Sequence, residues 1–115
     1  MDITIYHNPR CSKSRQTLAL IEDAGYVPTI VKYLEDPLTA SELQTLMTRL
    51  GVNDPQEIMR KGEDLYKELG LKTETDPTTL LQAMVENPKL IERPIVVRGK
   101  RAIMGRPPEN VKALL

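Results

Sequence analysis

Apolar residues recur along this chain in two rhythms. Ile3-Thr4-Ile5-Tyr6 is β-branched and aromatic in character and predicts a short strand. Between residues 12 and 24, Thr17, Leu18, Leu20, Ile21 and Ala24 fall on a helical period, and Gly25 supplies a C-terminal stop. Thr29 to Tyr33, following Pro28, predicts a second strand. Strand, helix and strand in that order form a β-α-β unit, so the two strands are expected to run parallel through a right-handed crossover.

The middle of the chain keeps the helical rhythm. Thr39-Ala40-Ser41-Glu42 reads as a capping box, with Leu38 placed to staple against Leu43. Leu43, Leu46, Met47 and Leu50 follow at helical spacing, and Gly51 ends that helix. Asp54-Pro55 opens another, with Asp as N-cap and Pro at the first helical position. Ile58, Met59, Leu65 and Leu69 are the apolar positions of this helix and of a short successor that stops near Gly70. Asp76-Pro77 repeats the start signal for a helix carrying Leu80, Leu81, Met84 and Val85, closed by Asn87-Pro88. These stripes are expected to be core.

Strand character returns at Ile95-Val96-Val97 and Ala102-Ile103-Met104, on either side of Arg98-Gly99-Lys100-Arg101. Gly-Lys at the centre suits a type II′ turn and predicts a hairpin. Pro107-Pro108 then starts a terminal helix through Val111 and Leu114. The expected architecture is α/β: a single domain over residues 1–115, with a helical insertion at about 36–88 between a β-α-β and a β-β-α unit.

Composition narrows the function classes. With no Phe or Trp and only four Tyr, the core must be aliphatic. Sixteen basic and sixteen acidic residues give a net charge of zero, which argues against a nucleic-acid or membrane surface spread over the protein. No apolar run approaches the roughly 20 residues of a membrane span. No basic segment followed by an apolar one opens the sequence, so no secretory signal is expected. One cysteine makes no intrachain disulfide, which points to a reducing, cytoplasmic compartment. One Cys and one His fall short of a zinc site, and no Gly-rich phosphate loop is present.

That single cysteine, Cys11, carries the candidate chemistry. It lies in Tyr6-His7-Asn8-Pro9-Arg10-Cys11-Ser12-Lys13-Ser14-Arg15, between a strand and a helix. Unpaired N–H groups at a helix start favour an anion, and a thiol in such a cationic setting is favoured as thiolate. A nucleophile is therefore expected; the alternative is a buried structural cysteine, which an apolar neighbourhood would have favoured. Ser14, one helical turn on, either donates a hydrogen bond to the thiolate or satisfies nearby backbone. A Cys-x-x-Cys pair would put its second cysteine at position 14, so with Ser14 the chain must borrow thiols to complete a redox cycle.

His7-Asn8-Pro9-x-Cys11-x-x-Ser14-Arg15, Arg60-Lys61, Arg93-Pro94-Ile95-Val96 and Gly105-Arg106-Pro107 resemble the glutaredoxin-linked arsenate reductase family, of thioredoxin-like fold, over nearly the whole chain. The likeness is to its short-chain subgroup. It implies that Cys11 attacks arsenate in arsenic detoxification and that Arg60, Arg93 and Arg106 hold the oxyanion, a task that suits guanidinium forks. For any one of these arginines a solvated surface position is the alternative. It also implies supporting roles for His7, Ser14, Arg15 and Pro94. His7 would tune the cysteine's surroundings or shape the loop. Pro94 would be the cis proline beside the active site, or else an ordinary trans residue opening an edge strand.

The partners so implied are arsenate, glutathione as co-substrate and glutaredoxin, acting on a monomer without a bound cofactor, metal, nucleic acid or membrane. Two other readings share the fold. One is an Spx-type redox-linked regulator that binds a protein partner, against which Ser14 counts. The other is a glutathione-dependent thiol oxidoreductase with another substrate, since arginines also hold carboxylates.

Overall fold

A computed structural model describes residues 2–115. Two compact units are present: the chain up to Asp36 together with Arg93–Leu115, and Pro37–Glu92 between them.

The first unit is built on a four-stranded sheet of order β2-β1-β3-β4. Its strands are β1 (Ile3–Tyr6), β2 (Thr29–Val31), β3 (Ile95–Arg98) and β4 (Arg101–Met104), with helix α1 (Ser12–Asp23) joining the first two. β1 and β2 are parallel, pairing Ile5 with Ile30, as the β-α-β reading requires. β3 runs antiparallel to both β1 and β4. The β3–β4 connection is the two-residue Gly99-Lys100 loop; Gly99 has φ +64 and among the described residues no non-glycine residue has positive φ, the sign pattern of a II′ turn. Ile3, Ile5, Ile21, Val96, Val111 and Leu114 form its aliphatic core.

Two boundaries differ from expectation. β2 stops at Val31, short of Tyr33, because the Lys32 carbonyl accepts the Glu35 and Asp36 N–H groups and turns the chain away. The terminal helix is a 3₁₀ segment, Pro108–Leu114. Its first turn is tightened by Asn110, whose side-chain amide donates to the Met104 and Arg106 carbonyls.

The second unit holds α2 (Ala40–Leu50), α3 (Asp64–Glu68) and α4 (Pro77–Glu86) with short 3₁₀ turns. The capping box forms: Thr39 Oγ1 accepts the Glu42 N–H and Glu42 accepts the Thr39 N–H, each at 3.1 Å. Gly51 closes α2 at φ +76. Asp76 caps α4 through the Thr78 N–H and the Thr79 hydroxyl. The Asp54-Pro55 signal yields only a 3₁₀ turn, Pro55–Ile58, where a helix was expected. The chain leaves it to pair with the segment after α4, through the Arg60 N–H on the Leu90 carbonyl at 2.7 Å and the Glu92 N–H on the Ile58 carbonyl at 2.8 Å. Both bonds lie inside the unit that ends at Glu92. Among the described residues no helix is long and apolar enough to cross a membrane.

Candidate active site

The site begins where β1 ends. The His7 N–H donates to the Val31 carbonyl at 2.8 Å, continuing the β1–β2 pairing by one residue. Asn8 then turns the chain twice over: its side-chain oxygen accepts the Arg10 N–H at 3.0 Å and its carbonyl accepts the Cys11 N–H at 3.0 Å. Cys11 is the N-cap of α1, half-buried, and its sulfur makes no capping bond. The sulfur is therefore left uncapped at the positive end of the helix.

Arg106 reaches it from the far end of the chain. Its Nη1 lies 3.9 Å from Cys11 Sγ and 3.2 Å from the Arg93 carbonyl, so one nitrogen bridges the thiol and the backbone ahead of Pro94. The Arg93–Pro94 and Arg106–Pro107 bonds are both cis. Arg93 itself is buried, at 9 % exposure. Arg15 donates to the Pro9 carbonyl at 2.9 Å and closes the loop. Arg60 belongs to the helical unit, where it pairs with Glu63 at 3.7 Å. Among the described residues no group of three His, Cys, Asp or Glu is placed to hold a metal ion.

Ser14 does not bond the thiol. Its oxygen is fully buried, accepts the Asn8 N–H at 3.1 Å and lies 2.6 Å from His7 Nδ1. The Ser14 hydroxyl thus ties the His7 ring to the Asn8 backbone and leaves Nε2 as the open nitrogen of the imidazole. Of the two roles open to Ser14, the structure shows the second: the turn at Asn8 brings His7 and the Asn8 N–H to its hydroxyl, which serves backbone and ring in place of the thiol.

Burial, with the cations Lys32 and Arg15 nearby, holds the His7 imidazole below its usual pKa. The unfolded chain then binds this proton at a higher pH than the folded one does. Below the ordinary value of 6.5 the unfolded state gains the proton first, and stability falls with falling pH until the folded histidine titrates too. Denaturation midpoints measured from about pH 7 to about pH 5 are expected to drop less in His7→Asn than in the wild type. Equal slopes would remove His7 from the pH response.

Gly105 is a spacing residue that sequence patterning did not single out on its own. Its N–H donates to the Pro94 carbonyl at 2.9 Å, and its carbonyl lies 3.4 Å from the buried Thr17 hydroxyl, which donates chiefly to the Lys13 carbonyl at 2.8 Å. A Cβ at this position would meet Thr17 Oγ1 at 2.6 Å and Pro94 Cγ at 2.8 Å. Neither the proline ring nor the helix-borne threonine yields readily, so Gly105→Ala is expected to destabilise by about 1–3 kcal/mol, the usual cost of overpacking. It should also shift the adjoining Arg106 and slow turnover. A urea midpoint equal to wild type would contradict the close approach.

The sequence profile of the ArsC family matches residues 6–114. The chain belongs to the ArsC family. Among its relatives, the uncharacterized protein YfgD of Escherichia coli is 54 % identical over 95 % of this chain and 92 % of its own length. A Neisseria meningitidis arsenate reductase is 47 % identical over 99 % of this chain and 98 % of its own. The solved arsenate reductase from Vibrio cholerae superposes with a TM-score of 0.97 at 51 % identity, covering 100 % of this chain and 98 % of that one. The thioredoxin-like ArsC fold is thus the fold of this chain.

Proposed function

We propose that this ArsC-family protein is a cytoplasmic arsenate reductase using glutathione and glutaredoxin, the whole chain acting as one domain with the helical unit as an insertion. The observation that carries the reading is the Arg106 guanidinium 3.9 Å from the sulfur of a helix-capping cysteine. A cationic fork beside a nucleophile is what capture of a tetrahedral oxyanion needs. Relatives named arsenate reductase support the choice of substrate.

Cys11 attacks the arsenic of dihydrogen arsenate, forming an S–As bond and releasing one oxygen as water with the thiol proton. Arg106 and Arg93 hold the oxyanion and offset its charge, and Arg60 is the third oxyanion ligand that the family resemblance implies. The sulfur of glutathione then attacks Cys11 Sγ. The S–As electron pair stays on arsenic, which leaves as arsenite, As(III), and Cys11 becomes a mixed disulfide with glutathione. Glutaredoxin takes the glutathione sulfur by thiol exchange and restores Cys11. His7 and Ser14 fix the loop that presents the cysteine, Arg15 ties it to Pro9, and Pro94 anchors Gly105 and with it Arg106.

Arsenite formation measured with glutathione and glutaredoxin tests this. Mass spectrometry during turnover should find Cys11 joined to glutathione, with no internal disulfide. Full activity with thioredoxin in the absence of glutathione would overturn the donor assignment.

A further inference from the structure

The carboxyl ends of the parallel pair β1 and β2 border a cleft of about 310 Å³ beside the Cys11 loop. Open α/β sheets bind ligands at this end of parallel strands. The cleft is lined by His7, Asn8 and Arg10 from one side and by Lys32, Leu34 and Glu35 from the other. None of these holds the oxyanion in the mechanism above.

Its donors are of two kinds. His7 is 5 % exposed and Asn8 7 %, so both are fixed. Ser14 occupies His7 Nδ1 and leaves Nε2 as its open ring nitrogen; the Arg10 N–H occupies Asn8 Oδ1 and leaves its amide NH₂ as a donor. Neither has a further partner among the described residues. Arg10 and Lys32 add two exposed cations, Glu35 adds one carboxylate, and Leu34, 43 % exposed, is an apolar wall.

We propose that this cleft binds the peptide part of the reducing thiol, a γ-glutamyl tripeptide, ahead of its attack on Cys11. Such a tripeptide carries two carboxylates and one ammonium at neutral pH. Lys32 and Arg10 match the carboxylates, Glu35 matches the ammonium, and Leu34 covers the chain between them. The fixed Asn8 amide meets a peptide carbonyl, and His7 Nε2 meets a peptide N–H or carbonyl according to its tautomer. An inorganic oxyanion fits less well, because Glu35 repels it and nothing in it uses the apolar wall. The identity of the thiol rests on the arsenate-reductase reading; the cleft and its charges do not.

S-methylglutathione, which cannot react, serves as the probe. Titrated into the full chain, it should shift the amide resonances of residues 7–10 and 32–35, and Lys32→Gln should weaken its binding about fivefold. In turnover, Lys32→Gln should raise the glutathione KM by a similar factor and leave the arsenate KM within about twofold. The double variant Lys32→Gln/Arg10→Gln should raise it at least about tenfold. Shifts confined to the helical unit, or a glutathione KM that ignores both substitutions, would overturn the cleft. Probe binding at the cleft in a protein that reduces no arsenate would leave the cleft standing and remove the reaction.

Discussion

Cys11→Ser is expected to lower arsenite formation to the uncatalysed background, a loss of at least about a thousandfold, with the folded state intact. Every covalent step of the proposed cycle passes through this one sulfur, and there is no second cysteine to take over. A serine hydroxyl at the same N-cap has no accessible anionic form at neutral pH, and an oxygen could not go on to a disulfide with glutathione. The substitution is conservative in shape. Cys11 makes its backbone bonds through N–H and C=O, to the Asn8 carbonyl and the Arg15 N–H, and Ser keeps both. Serine is also a better N-cap than cysteine, so the unfolding midpoint should hold or rise. Arsenite production assayed beside a denaturation curve separates the two effects. Residual turnover within tenfold of wild type would remove Cys11 as nucleophile.

The parts of this protein that were legible in advance are those set by short-range chemistry. The capping box at Thr39 and Glu42, the glycine stops at Gly25 and Gly51, and the Gly99-Lys100 hairpin all depend on residues within a few positions of one another, and each forms. The Asp54-Pro55 start misled because its local signal was sound, as Asp54 does cap Gln56, while continuation was decided by partners far along the chain. The Arg60 and Glu92 N–H groups find their acceptors across the unit. The same division runs through the site. The turn at Asn8-Pro9 and the helix start at Cys11 were readable, but the destination of the Ser14 hydroxyl was not, because it depends on how His7 folds back over α1. Arg106 lies 95 residues from Cys11, and their meeting follows from β1 pairing with β3 and β3 with β4. Periodicity carries no such information, and only the family resemblance pointed to it. Gly105 escapes local patterning for a related reason: its requirement for no side chain comes from Thr17 and Pro94, which lie outside its own turn.

Arg106→Ala is expected to lower kcat/KM for arsenate between about tenfold and a hundredfold, the worth of one charge-assisted partner. Its Nη1 already touches the sulfur and the Arg93 carbonyl, so the guanidinium is positioned before substrate arrives. Positive charge set in place at the point where an anion is captured stabilises the transition state without a reorganisation cost. Arg106→Lys should recover only part of the loss. An ammonium offers a point charge, and it lacks the planar fork that keeps one donor on the Arg93 carbonyl while others face the oxyanion. Arg106 is exposed, and its removal should move the unfolding midpoint little. Arg98 is the control from the same hairpin. It donates to the Leu114 carbonyl at 2.6 Å and stacks 4.9 Å from the Tyr26 ring centre, so Arg98→Ala should cost stability and spare kcat/KM. If Arg106→Ala instead keeps wild-type efficiency, the oxyanion must be held elsewhere. Arg60→Ala and Arg93→Ala, assayed in the same series, would show whether either of them carries that charge.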